Sequence, residues 1–167
     1  LDAGRTGSGT RAHVIGGGGS AAELLRRLAL CGFSVSCGVV NELDTDAEVA
    51  AALGVATALE KPFSPVGPDA LARAGELADQ ADVVIVADVP FGPGNVANLE
   101  LARQAIAAGK PVLLADGVAA RDYTPGRDAA RIAARLAEAG ARLYAPGADV
   151  LAELARALPR RALSPSA

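Results

Sequence analysis

"ADVVIVADVPFGPGNVANLELARQAI", residues 81–106, carries the decision about the fold. Its first part, Asp82–Ala87 (DVVIVA), is an apolar, β-branched run too short for a globular helix. It is also too continuously apolar for a strand wetted on one face, so it reads as a strand buried on both. Asp88 ends the run, and a turn holding Pro90, Phe91, Gly92, Pro93, Gly94 and Asn95 follows. Val96–Ala108 then reads as a helix stopped by Gly109. Strand, tight turn and helix in that order form most of a βαβ unit, which belongs to a parallel sheet.

The same grammar extends in both directions. Upstream, Ala12–Gly16 is a short apolar strand and Ser20–Cys31 a helix with Leu24, Leu25 and Leu28 on one face. Ser20 suits its N-cap, and Gly32 suits a left-handed residue at its end. Phe33–Val40 is a second strand, Asp46–Leu53 a short helix, and Val55–Leu59 a third strand. A proline-rich "KPFSPVGP" leads to a helix over Asp69–Gln80. Downstream come strand Pro111–Ala115, helix Ala129–Ala139, strand Arg142–Ala145 and helix Asp149–Leu158. The expectation is an α/β chain: a single doubly wound, Rossmann-like, three-layer domain with a mostly parallel six-stranded sheet, order 3-2-1-4-5-6. Residues 1–11 read as a linker, 12–158 as a ligand-binding domain and 159–167 as a flexible tail.

Composition narrows the function. The 167 residues carry 16 Lys plus Arg against 19 Asp plus Glu, and this lack of basic surplus excludes nucleic acid as a partner. Aromatics at 3% leave no stacking platform for bases. With His13 the only histidine and Cys31 and Cys37 the only cysteines, no metal site of ordinary type is expected. Both thiols read as buried and free, which fits a reducing compartment. No apolar run is long enough to span a membrane. The chain lacks Met altogether and opens on a linker-like stretch, so it reads as processed or cut from a longer polypeptide.

In a doubly wound sheet, ligands bind where the winding reverses, at the carboxyl ends of the first and fourth strands. Both strands here run into glycine-rich turns that open helices: Gly16, Gly17, Gly18, Gly19 and Ser20 after the first, and Pro90 to Asn95 after the fourth. Amide groups at such turns, and the positive ends of the helices, favour an anion. Pro90 and Pro93 stiffen the second turn before any ligand arrives. Asp88, Asn98 and Asp116 join these residues as candidate ligand contacts, with Lys61, Phe63, Arg121, Tyr123 and Arg127 on the rim. The first turn, G-G-G-G-S-A from Gly16, meets the dinucleotide fingerprint only in part. Glu42, Asp44 and Asp46 stand slightly late for its ribose-binding acid. No catalytic constellation is found.

"HVIGGGGSAAELLRRL", "VSCGVVNELDTDAEVAAALG", "KPFSP" and "ADVVIVADVPFGPGNVANLELA" together resemble a domain that follows the ATPase in ABC-importer ATP-binding proteins of the cobalamin and ferric-siderophore class. The resemblance covers about residues 12 to 122. It implies a non-catalytic, cytoplasmic regulatory domain at the inner face of an importer, paired as a homodimer with an ABC ATPase domain as partner. A corrinoid, a nucleotide or a related metabolite would suit its pocket, and no cofactor is named. The lysine-bearing phosphate loop of the ATPase itself does not occur in this chain. A looser similarity links Pro90–Glu100 to LOG-like, lysine decarboxylase-like nucleotide phosphoribohydrolases, whose marker is P-G-G-x-G-T-x-x-E. Asn98 or Glu100 would then stand at the catalytic glutamate, and neither alignment keeps the full marker. A purely structural dimerisation or docking domain is the third reading.

Overall fold

The computed structural model describes residues 9–16, 21–61, 67–87, 94–115, 131, 134–145 and 149–158. Six strands form one sheet: β1 (Arg11–Ile15), β2 (Ser34–Asn41), β3 (Ala56–Glu60), β4 (Val83–Val86), β5 (Val112–Ala115) and β6 (Arg142–Tyr144). Their order is β3-β2-β1-β4-β5-β6, and every neighbouring pair is parallel. This is the expected doubly wound sheet. Between the strands lie α1 (Ala22–Leu30), α2 (Thr45–Leu53), α3 (Pro68–Asp79) and α4 (Gly94–Ala107). Residues 134–139 are helical, and α5 (Val150–Ala157) follows β6. Among the described residues, the element boundaries differ from the expected ones by at most two residues.

The continuous apolar runs are explained by helices on both sheet faces. On one face Val14, Cys37, Val83, Ile85 and Leu113 pack with Leu24, Leu25 and Leu28 of α1, Ala47 and Ala50 of α2 and Leu154 of α5. On the other, Ile15, Val84, Val86 and Leu114 pack with Leu99, Ala102 and Ala105 of α4 and with Leu136. A satellite cluster of Val39, Ala58 and Ala74 joins α3 to the β2–β3 side of that second face, with Leu101 against it. The edge strand β6 exposes its middle residue: Leu143 is 50% accessible.

One irregularity re-phases β2. Cys37 pairs with Thr57 and Val39 with Ala58, so two steps on β2 match one on β3 and Gly38 is the extra residue. A strand alternates faces with period two, so an inserted residue exchanges the faces of all that follow. Val39 accordingly packs toward α3 while Cys37 and Val40 pack with α1 and α2. Gly54 closes α2 with φ 69°, as expected of a glycine after a helix.

Candidate functional site

β1 and β4 lie side by side, in register from Ala12↔Val83 to Ile15↔Val86. The Ala87 N–H donates to Ile15 O at 2.8 Å, so the two strands end level with one another. α1 leaves β1 over the face of Val14 and Ile85, whereas α4 follows β4 over the face of Ile15 and Val86. Two strand-to-helix connections therefore diverge from adjacent strand ends, which makes this the switch point of the sheet.

Of the expected contacts, Gly16 and the helical residues Gly94, Asn95 and Asn98 are described. Gly17, Gly18, Gly19, Ser20, Asp88, Pro90, Phe91, Gly92, Pro93 and Asp116 lie outside the described residues, as do Phe63, Arg121, Tyr123 and Arg127. Lys61 is exposed directly after β3. α4 starts at Gly94, two residues before the expected Val96, which puts Asn95 inside the first helical turn rather than in the turn before it. The first amides of a helix need no partner within it, so a glycine is tolerated there.

Gly16 is held by packing. A Cβ added to it would stand 2.5 Å from the Ala21 Cβ. Gly16→Ala is expected to cost about 1–3 kcal/mol, since one of two close backbone segments must move. A urea denaturation midpoint shift measures it, and an unchanged midpoint would show that the turn yields freely.

The N-cap of α1 is Ala21, with no side-chain cap, which corrects the assignment of that role to Ser20. A carboxylate from elsewhere serves instead: Asp46 Oδ2 accepts the Ala21 N–H at 3.3 Å. An anion here also suits the positive end of α1. Asp46 was grouped with Glu42 and Asp44 as late candidates for a ribose contact. Glu42 is exposed, whereas Asp46 has no accessible surface and binds the amide at the start of α1. The cue in the sequence was its setting, at the start of a helix rich in Ala.

Asp46 also acts on a thiol. Burial, and next the Asp46 charge, push Cys37 up to about 12. Thiolate is the reactive form, so Cys37 is inert in the folded state. A thiol reagent at about pH 8 is expected to modify Cys37 only after denaturation. Rapid modification of the native protein, read by mass spectrometry, would contradict this burial.

Sequence reading missed the polar pair inside the sheet. His13 is fully buried, and its Nδ1 lies 2.8 Å from Ser36 Oγ on the neighbouring strand. Its Nε2 has no hydrogen-bond partner among the described residues. Desolvation, and then the positive charge of Lys110, lower its pKa to about 4. The Lys110 ammonium itself caps α3 by donating to Ala78 O, at 3.2 Å, and to Asp79 O.

Glu100 lies on the exposed side of α4, where Arg103 binds both carboxylate oxygens at 2.9 and 2.5 Å. That hydrogen bonding holds its carboxyl below the usual range. A general acid needs a raised pKa, so this environment lends nothing to a hydrolytic role for Glu100. No group of three His, Cys, Asp or Glu among the described residues could hold a metal ion.

Residues 35–158 match the model of the MJ0874 family, well over half of the chain. Among characterised proteins, the chain is 43% identical over 79 residues to the cobalamin import ATP-binding protein BtuD from two strains of Halobacterium salinarum. That stretch is 46% of this chain and 20% of the relative, so the matched region spans about a fifth of the relatives' length.

Proposed function

The chain belongs to the MJ0874 family, and from that premise we propose that it is a non-catalytic, small-molecule-binding module that regulates an ABC importer ATPase for cobalamin or an iron-siderophore. The observation that carries the ligand reading is the level ending of β1 and β4, with α1 and α4 diverging over opposite faces. Such a crevice presents helix N-termini and close backbone to an anionic group. Gly16, close against Ala21 after β1, and Gly94, at the first position of α4, support this reading. The importer context is supported by the 43% identity to the cobalamin import proteins.

The ligand on this reading is a corrinoid or a nucleotide. The partner is an ABC ATPase domain, on the cytoplasmic side, with the module working as a homodimer. No described helix is long and apolar enough to cross a membrane.

Thermal or urea unfolding with cyanocobalamin, ATP, ADP and AMP tests binding. A ligand at about 100 times its Kd adds about 2.7 kcal/mol to stability. Gly94→Val is expected to remove that gain while leaving the unliganded midpoint nearly unchanged, because it puts a branched side chain at the first position of α4. Full retention of the gain in the variant overturns the crevice as the site, and the absence of any gain overturns the ligand reading.

A further inference from the structure

At the other end of the sheet, a cavity of about 250 Å³ opens between α3 and the amino ends of β1, β2 and β3. Arg11, Ser34, Ser36, Arg73, Leu77 and Gln80 line it. None of these residues belongs to the switch point.

Its lining combines two arginines with neutral polar groups. Arg11 is exposed at the start of β1, and its guanidinium forms no ion pair among the described residues. Arg73 meets Glu76 at 3.6 Å, with the two side chains 50% and 64% accessible. Pairs this exposed contribute about 0.2–1 kcal/mol, so Arg73 is free to turn toward a better partner. The nearby carboxylate of Asp82 is engaged by the Arg11 backbone N–H at 2.8 Å. Ser36 is 9% accessible, with its hydroxyl oriented by His13. Ser34 and the Gln80 amide add neutral hydrogen-bonding groups, and Leu77 supplies an apolar wall.

Guanidinium groups recognise oxyanions through charge-assisted, often bidentate contacts, and two arginines share this lining with neutral hydrogen-bonding groups. Size decides which oxyanions. At about 250 Å³ the cavity lies below the roughly 300–1,000 Å³ of pockets that enclose drug-sized ligands, so it suits a small anion. We propose that this amino-end cavity is a second binding site, in which Arg11 and Arg73 hold a small multiply charged oxyanion, either phosphate or a short dicarboxylate.

The test is an NMR titration of the chain with inorganic phosphate and, separately, malonate, with sodium chloride keeping ionic strength constant. Saturable shifts of the Ser34, Ser36 and Gln80 backbone amides are expected with at least one of the two anions, and the anion that saturates identifies the class. Arg11→Gln combined with Arg73→Gln should weaken binding about tenfold or more. Arg26→Gln on α1, an exposed arginine near Glu23, should leave it unchanged. Both substitutions in the double variant are at exposed positions. Should the double variant unfold, Arg73→Gln alone serves, with a smaller expected loss. Shifts that stay linear for both anions, or an affinity indifferent to the arginine substitutions, overturn the proposal. Neither result bears on the switch-point ligand.

Discussion

Acidification is expected to remove about 3 kcal/mol of folding stability through His13 alone, as pH falls from 6.5 to about 4. The imidazole lies inside the sheet, where burial makes its charged form costly and the charge of Lys110 adds to that cost. Above pH 6.5 the ring is neutral in both folded and unfolded chains, and it contributes no pH dependence. Between the two values the unfolded chain takes up the proton while the folded chain resists, so acid draws the equilibrium toward unfolding. Below about 4 both states are protonated, and the loss is complete. Carboxylates titrate over part of the same range, so the measurement must be a difference. Urea denaturation of the wild type and of His13→Leu with Ser36→Ala, at pH values from 7.5 to 4, provides it. Both members of the pair are replaced so that no buried hydroxyl is orphaned. The variant should lose about 3 kcal/mol less than the wild type on acidification; parallel curves would mean that His13 is not buried in its neutral form.

Ile85→Ala is expected to cost about 2–5 kcal/mol. Ile85 has no accessible surface and stands mid-strand in β4, between Val14 of β1 and Leu113 of β5. It shares its core cluster with residues of α1, α2 and α5. Removing its outer carbons loses transfer free energy and leaves a cavity that a sheet paired on both sides cannot close. Leu143→Ala on β6, at 50% accessible, is the contrast, with an expected change within about 0.5 kcal/mol. The check is the denaturation midpoint at constant m-value. An Ile85→Ala cost below about 1 kcal/mol would show that the core relaxes around the gap.

The candidate site was legible as a place more than as a set of contacts. Its position follows from strand order, and the order follows from strands and helices alternating under right-handed crossovers. Gly16 could be marked in the sequence, but the reason for it, the return of Ala21 to 2.5 Å, exists only once the turn has closed. Asp46 stands in the sequence beside Glu42 and Asp44 as a late candidate for a ribose contact, and in the fold it is the buried acceptor for Ala21 N–H. Asn95 was placed one residue before a helix that already begins at Gly94. Glu100, one of two residues that could align with a hydrolase glutamate, turned out to be engaged by Arg103 one turn along α4.

By itself the sequence determined the elements and their architecture. Periodicity, apolar run length and stop signals such as Gly54 are local properties, and they survive into the fold because each element agrees with them. Tertiary structure alone decided the pairings between distant positions. His13 meets Ser36 across 23 residues, and Ala21 meets Asp46 across 25. The amino-end cavity draws on β1, β2, β3 and α3 together. Such contacts depend on strand register and on Gly38, whose insertion into β2 exchanges the faces of Val39 and Val40. Register is a relation between strands, and no single stretch of chain carries it.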